Sequence, residues 1–168
     1  MTTDSETMKA IRTELSRIEE DCIHSGKAQF NAAVRWGHYH LWLGLPSAIL
    51  SAAAGAAFIK SHGEIAGAMT MLAALLTSLM TFLKPSERAS AHKTAGDQYL
   101  ALRNDARVFR EIRIDHTCDD QAAIDSMDEF TKRRNELNQA SAPFSRKDFE
   151  KARAGIEVGE ATHQVDKE

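Results

Sequence analysis

The sequence lacks the residue patterns that mark most enzymes and cofactor-binding proteins. It contains no Walker loop and no GxGxxG, GxSxG or HExxH motif. The two cysteines, Cys22 and Cys118, stand far apart and outside any CxxC spacing, and the seven histidines are scattered. This arrangement indicates neither a disulfide framework nor a zinc site. We therefore expect no enzymatic activity, no cofactor and no metal.

Basic residues are not in excess either. The net charge is −3, so the chain has no overall positive field for nucleic acid, and we expect no nucleic-acid partner. The first residues, MTTDSETMKAIRTELSR, are charged and do not resemble a cleavable signal peptide. We therefore expect the first apolar segment, some 40 residues further on, to be a retained membrane anchor.

Charged residues and histidine are absent from two apolar segments, residues 41–59 and 65–83, which the polar sequence KSHGE separates. Each segment has 19 residues. A helix of that length is about 28 Å long, close to the hydrocarbon thickness of a bilayer. The rest of this 168-residue chain is strongly polar and could not wrap two helices that are apolar on every side. The two segments therefore predict a transmembrane helical hairpin.

Lysine and arginine flank the predicted hairpin unequally. The 20 residues before the first span hold Lys27 and Arg35, and the 20 residues after the second span hold four basic residues. The connecting loop holds only Lys60, beside Glu64. Because basic residues favour the cytoplasmic side, this asymmetry predicts that both termini are cytoplasmic. Three aromatic residues stand at the entrance to the first span, as interfacial anchors do: Trp36, Tyr39 and Trp42.

Outside the hairpin, apolar residues recur mainly at spacings of three and four, which predicts helices with one apolar face. Three such stripes are Met8, Ile11, Leu15, Ile18 and Cys22; Ala95, Tyr99, Leu102, Ala106 and Phe109; and Ala123, Met127, Phe130 and Leu137. Stripes this narrow pack against one another or against the same stripes of neighbouring subunits. The first stripe loses its apolar positions at Ser25 and Gly26, where we expect the helix to lapse before it resumes into the membrane.

Capping residues and prolines predict the helix ends. Thr3, Asp4 or Ser5 can cap the first helix, and Pro46 either occupies a first turn or kinks a continuous helix. After the second span, Pro85 precedes a helix that Ser86 can cap and that ends near Asp115. The next helix starts at Asp119 or Asp120, and Pro143 interrupts the chain after it. A capping box from Ser145 to Asp148 then opens a helix to about Gly155.

These features predict an all-α membrane protein, in which amphipathic cytoplasmic helices precede and follow a two-helix transmembrane hairpin. The predicted regions are an N-terminal helix at residues 1–40, the hairpin at 41–83, a cytoplasmic helical region at 84–158 and a polar tail at 159–168.

Small and weakly polar residues share faces within the two spans. Since small residues let membrane helices approach closely, five of them are predicted to pack helix against helix: Gly44, Ser47, Ser51, Gly55 and Gly67. A second interpretation concerns the face of the second span that carries Thr70, Ala74, Thr77 and Thr81. That face could line a water-filled path, which would require several subunits because two helices cannot enclose a pore.

Basic residues also cluster after the spans. Arg103, Arg107 and Arg110 share a helical face, and residues 132–134 form a basic run. The simplest interpretation is a solvated surface with ion pairs to Asp97, Asp105, Glu111 and Glu136. The alternatives are sites for anionic lipid headgroups or for a nucleotide phosphate.

The exit from the second span carries the most specific pattern, TFLKPSER at residues 81–88, followed by His92, Ala95, Tyr99, Leu102 and Arg103. With the Gly-Leu-Pro entry at residues 44–46 and the sequence APFSRKDFEKAR at 142–153, it resembles the SLATT domain, a two-transmembrane effector family associated with nucleotide-sensing bacterial conflict systems. The resemblance covers most of the chain. The residues that match the motif after the second span include Pro85, Glu87, Arg88, His92, Tyr99 and Arg103.

The resemblance implies a function that composition does not reveal. It implies an effector of antiphage defence that forms homo-oligomers and permeabilises the inner membrane, halting the infected cell. The trigger would be a nucleotide second messenger bound by the cytoplasmic helices, or a separate signalling protein. The alternative function is a passive membrane anchor or scaffold that recruits a soluble partner.

Overall fold

The computed structural model describes residues 6–116 and 119–162, and every regular element within them is helical. The elements are α1 (Glu6–Ile59), α2 (Gly63–Leu83), α3 (Pro85–Val108), a π-helical turn (Phe109–Arg113), a 3₁₀ turn (Ile114–His116), α4 (Asp120–Ala140) and α5 (Arg146–Glu157). Two helical stretches are long and apolar enough to cross a membrane. The predictions of an all-helical chain and of two such helices are thus confirmed. Thr3, Asp4, Ser5 and Cys118, together with residues 163–168 of the predicted tail, lie outside the described residues.

The described residues fall into two compact units. Unit 1 holds the described residues up to Ala32 and those from Ala91 onward, and unit 2 holds Ala33–Ser90. Helix α1 contributes residues to both units.

Unit 1 is built around one apolar core, to which α1, α3 and α4 contribute. Its buried members are the residues of the sequence stripes and their neighbours: Ile11, Leu15, Ile18, Cys22, Tyr99, Leu102, Ala106, Phe109, Ile114 and Ala123. Met127, Phe130 and Leu137 of α4 pack against this cluster and are partly buried. The stripes therefore pack against one another within a single chain, so they do not by themselves require a neighbouring subunit.

Helix α1 does not lapse at Ser25 and Gly26, contrary to the expectation from its apolar stripe. The stripe changes character there because α1 approaches α3 closely. A Cβ added at Gly26 would lie 3.2 Å from the Cβ of Tyr99 and 3.4 Å from the carbonyl oxygen of Gly96. Gly26 is small because α1 and α3 touch there, and in a sequence a small residue at a helix contact looks like a break in the apolar face.

A buried network of hydrogen bonds between polar groups joins α1, α3 and the segment between α4 and α5. The side-chain amide of Gln29 donates to the Ala142 carbonyl at 3.0 Å, and its oxygen lies 2.5 Å from Nδ1 of His92. Because the amide nitrogen of Gln29 donates, its oxygen must accept, and Nδ1 of His92 must carry the hydrogen. Gln29 and His92 are 1% and 3% exposed, so this hydrogen bonding offsets the cost of burying them.

The predicted helix ends are correct in part. Asp119 caps α4 by accepting from the Ala122 amide, and Ser145 and Asp148 form the predicted capping box of α5. The prediction for Ser86 is wrong, because α3 begins one residue earlier, at Pro85. Proline suits a first helical position, where its missing N–H is not needed. Pro46 lies deep inside α1, which excludes the first-turn alternative.

The π-helical turn after α3 places two apolar side chains in the core of unit 1. The amide of Ile114 donates to the carbonyl of Phe109, five residues earlier. In an α-helix, residues five apart point about 140° away from each other. The wider turn lets both Phe109 and Ile114 be buried, and Arg12 of α1 supports it by donating to the Arg110 carbonyl at 2.7 Å.

The contact at Gly26 generates a stability prediction. We expect Gly26→Leu to lower the free energy of unfolding by about 1–3 kcal/mol, because the added side chain would force α1 and α3 apart. Gly37→Leu is the matched control in the same helix, since a Cβ at Gly37 would meet nothing within 4 Å. The measurement is chemical unfolding in mild detergent. Equal losses in both variants would show that the contact between α1 and α3 does not limit stability.

The buried thiol of Cys22 generates a pH prediction. Burial, with a smaller effect of the Asp21 carboxylate, raises the pKa of Cys22 from 9.0 to about 11. The unfolded chain therefore loses this proton near pH 9 while the folded chain keeps it, so stability falls as pH rises between those values. We expect the loss to be about 1–3 kcal/mol greater for wild type than for Cys22→Ala, measured by urea unfolding on both sides of the window. The same pH dependence in both proteins would contradict the prediction.

Candidate functional site

In unit 2, the last part of α1 packs against α2 through small and hydroxyl side chains. The Ser47 hydroxyl lies 2.8 Å from the Thr77 hydroxyl and 3.2 Å from the Ala73 carbonyl oxygen. A Cβ added at Gly44 would lie 3.4 Å from the Met80 side chain. The contacts pair later residues of α2 with earlier residues of α1, so the two helices run antiparallel.

A groove of about 1170 Å³ runs between these two helices. Its lining is small or weakly polar except at Phe58 and Met71, and comprises Ser51, Ala54, Gly55, Phe58, Gly63, Ala66, Gly67, Thr70, Met71, Ala73, Ala74, Thr77 and Ser78. A Cβ at Gly55 or Gly67 would meet nothing within 4 Å, because both glycines face the open groove. The missing side chains at these positions contribute to its width.

The hydroxyl groups along the groove are satisfied within their own helices. Thr70, Thr77 and Ser78 each donate to the carbonyl four residues earlier, at 2.8–2.9 Å. Ser51 does the same in α1, at 2.9 Å. Since Thr77 donates to Ala73, the Ser47 hydroxyl is the donor in the contact between helices. The groove therefore offers weak polarity without requiring water to satisfy its hydroxyls.

The opposite faces of the same two helices expose large apolar side chains. Only 11% of the most apolar window of each helical stretch is buried. Outside the groove lining, the exposed residues are Leu41, Trp42, Leu45, Ile49, Ile59, Ile65, Leu72, Leu75, Leu79, Phe82 and Leu83. Burial is thus inverted relative to unit 1, with mainly small residues between the helices and most of the large apolar residues outside them.

The residues that the sequence assigned to helix packing or to a pore lining have different positions in the structure. Of the predicted packing positions, Gly44 and Ser47 contact α2, whereas Ser51, Gly55 and Gly67 line the groove. Of the predicted pore-lining positions, Thr70, Ala74 and Thr77 line the groove. Thr81 is exposed and not among the lining residues, and its hydroxyl donates to the Thr77 carbonyl at 3.0 Å.

The residues that match the motif after the second span lie in both units. In unit 2, Pro85 is buried, Glu87 pairs with Lys84 at 3.2 Å, and the Arg88 guanidinium lies over the Trp36 ring. In unit 1, His92 bonds Gln29, and the Tyr99 hydroxyl donates to Asn138. The positive charge of Arg103 partly offsets the rise that burial causes in the pKa of Cys22. These residues thus serve different local contacts rather than one shared pocket.

The basic clusters of unit 1 are largely ion-paired. Arg133 pairs with Asp105 at 2.9 Å and Lys132 with Glu136 at 4.0 Å. Arg110 pairs with Glu111 at 2.5 Å and also with Glu19, whose hydrogen bond raises the arginine pKa. Three of the four predicted carboxylates therefore pair with the clusters, while Asp97 pairs instead with Lys93 at 2.8 Å.

Unit 1 also contains a polar pocket of about 380 Å³ that the sequence did not predict. Its lining comprises Glu20, Asp21, His24, Ser25, Tyr99, Arg134, Asn138 and Phe149. Within the part of the chain that the structure describes, Nδ1 of His24 and Nε of Arg134 are buried without a hydrogen-bond partner. These residues are far apart in sequence, so no local motif could have joined them. No group of three metal-binding side chains occurs among the described residues.

Comparisons of the chain with models of protein families, with curated proteins and with solved structures find no match.

The contact between Ser47 and Thr77 generates a coupling prediction. In a double-mutant cycle, we expect Ser47→Ala and Thr77→Val to show a coupling energy of about 0.5–1 kcal/mol, typical of a hydrogen bond between membrane helices. Thr81→Val is the control partner, because among the residues that the structure describes the Thr81 hydroxyl bonds the backbone of its own helix. Unfolding in mixed micelles measures the cycle. A coupling for Thr81 as large as that for Thr77 would contradict the assignment.

Proposed function

We propose that this chain is a membrane effector of a bacterial antiphage or conflict system. It inserts the two helices of unit 2 into the inner membrane as a transmembrane hairpin, with both termini in the cytoplasm. On a cytoplasmic signal, several copies assemble and permeabilise the membrane, which arrests the infected cell. The sequence resemblance to the SLATT domain supports the biological setting, and the exposed apolar surface and the groove of unit 2 support insertion and assembly.

The exposed apolar surface of unit 2 is the observation that carries the proposal. Within residues 41–83, thirteen large apolar side chains of α1 and α2 are exposed. Burying side chains of this size is worth roughly 1.5–3 kcal/mol each, so leaving them in water would cost on the order of tens of kcal/mol. Apolar helices with no charge over 19 residues match the length and chemistry of a bilayer.

The groove supports assembly into a pore. A path for water and ions needs a lining of weak polarity, and Thr70, Ala74 and Ser78 supply one on a single side of α2. The pair of helices cannot close around a path alone. Several hairpins with their grooves turned toward a common axis would place these residues at the centre and the large apolar residues in lipid.

The polar pocket of unit 1 is the proposed place of the signal. It combines carboxylates, a guanidinium, an amide and the Phe149 ring, and two of its buried nitrogen atoms have no partner among the described residues. A small polar messenger, such as a nucleotide, or a loop of a signalling protein could satisfy them. Its binding would act on α1, which contributes both to this pocket and to unit 2.

One observation favours the alternative of a passive membrane anchor. Every hydroxyl reported above for the groove is already bonded to a carbonyl of its own helix, as suits a surface that packs against lipid or another helix. A groove that never contacts water would fit an anchor or scaffold that recruits a soluble partner.

Conductance of the purified protein in planar bilayers, with and without candidate cyclic oligonucleotides, separates the two functions. In a background with Cys22→Ala and Cys118→Ala, we expect Thr70→Cys to become blocked by a charged, water-soluble thiol reagent. Leu75→Cys is the matched control on the same helix, because Leu75 is exposed and lies outside the groove. It should be unaffected, because the reagent does not enter lipid.

Two outcomes would reject the pore. Silence of the inserted and assembled wild type under every condition would leave the anchor function. Equal block at positions 70 and 75 would show that the reagent does not report a path along the groove.

A further inference from the structure

Helix α5 is held against one face of α1 within unit 1. The Phe149 ring of α5 stands 6.0 Å from the His24 ring of α1, measured between ring centres. The side-chain amide of Asn31 donates to the Asp148 carbonyl of α5 at 3.0 Å. His24 and Asn31 are seven residues apart, a spacing that places both on the same face of a helix. The two contacts therefore fix α5 along two turns of α1.

The residues on either side of α5 contact the same part of α1. Before α5, the Ala142 carbonyl accepts from the side-chain amide of Gln29 at 3.0 Å. After α5, the Glu160 carboxylate pairs with Lys27. All four contacts thus fall on residues 24–31 of α1, and unit 2 begins at residue 33.

The apolar part of this attachment is small. The buried residues of α5 are Asp148, Ala152 and Gly155, none of which carries a large apolar side chain. Among the described residues, the apolar core cluster of unit 1 includes no member of α5, whereas α4 contributes Ala123. Single hydrogen bonds and exposed ion pairs stabilise a structure much less than an apolar core does. Helix α5 can therefore detach while the core of unit 1 stays folded.

We infer that residues 141–160, which are α5 and its flanks, form a releasable clasp on residues 24–31 of α1. The inference rests on the proposed function and names the regulation of its signal pocket, because Phe149 of α5 lines that pocket together with His24. A ligand that enters between these two rings separates α5 from α1. Helix α1 is continuous from the clasp into unit 2, so the closed clasp restrains the hairpin and its release permits opening of the pore.

Hydrogen exchange of the full chain in mild detergent tests whether the clasp is releasable. We expect the amides of α5 to exchange faster than those of α4, because α5 opens while the core stays closed. Asn31→Ala should speed exchange in α5 by roughly two- to tenfold and leave α4 unchanged, as expected for the loss of one hydrogen bond. Gln121→Ala is the matched control, since Gln121 donates to Asp125 within α4, and it should leave α5 unchanged.

Conductance in planar bilayers tests whether the clasp restrains the pore. In a background with Cys22→Ala, Cys118→Ala and Asn31→Ala, the ion pair is replaced by Lys27→Cys and Glu160→Cys. A bifunctional methanethiosulfonate reagent joins the two thiols, and dithiothreitol breaks the link. We expect the linked protein to be silent and the reduced protein to conduct, because only the reduced protein can release α5.

A second pair of cysteines controls for the reagent. Gln121→Cys and Asp125→Cys lie together on α4, where a link leaves α5 free to detach. In the same background, with Lys27 and Glu160 unchanged, this pair should give equal conductance in the linked and reduced forms. Silence of its linked form alone would show that the reagent blocks conductance wherever it binds, and would overturn the evidence for the clasp.

The outcomes separate the clasp from the proposed function. Exchange in α5 as slow as in α4 would overturn the clasp, because α5 would then open only together with the core. Equal conductance of the form linked at residues 27 and 160 and its reduced form would overturn the restraint and leave the pore standing. Silence of both forms would reject the pore, while faster exchange in α5 would still support a releasable clasp.

Discussion

The inverted burial of unit 2 is the constraint on which the rest of the molecule depends. Mainly hydroxyl and small side chains lie between the last part of α1 and α2, and most of the large apolar side chains lie outside. In water the opposite order is favoured, because apolar surface is costly there and hydroxyl groups are easily hydrated. The arrangement suits an apolar surrounding, in which packing and internal hydrogen bonds hold helices together.

Unit 1, in contrast to unit 2, has the burial pattern that is favoured in water. Its apolar side chains form one closed core, and its buried polar groups Gln29 and His92 bond each other. Its basic clusters are mostly neutralised by carboxylates. The polar pocket around His24 is one place in unit 1 where buried nitrogen atoms lack a partner among the described residues. The unsatisfied apolar surface of the described chain lies mainly in unit 2, and so does the case for a membrane function.

The sequence predicted the features that depend on local pattern. The apolar stripes of α1, α3 and α4 correspond to the core, and Asp119 and the Ser145–Asp148 box begin helices as predicted. The sequence did not predict the features that depend on contacts between residues far apart in the chain. Gly26 resembled a break because its reason lies on α3, and the pocket around His24 joins residues more than 100 positions apart. The groove was predicted only as a face of small residues, since its width depends on how two helices meet.

The π-helical turn at Phe109–Arg113 holds one residue more than an α-helical turn would hold at that point. Removing one residue there would restore an ordinary α-helix and place Ile114 four residues after Phe109, and residues four apart share one face of an α-helix. Ile114, which is 1% exposed, would then stay in the core, and Asp115 would keep its ion pair with Arg12. Related sequences can therefore gain or lose one residue in this turn while they keep the same core, and an alignment gap at this point would mark the turn itself.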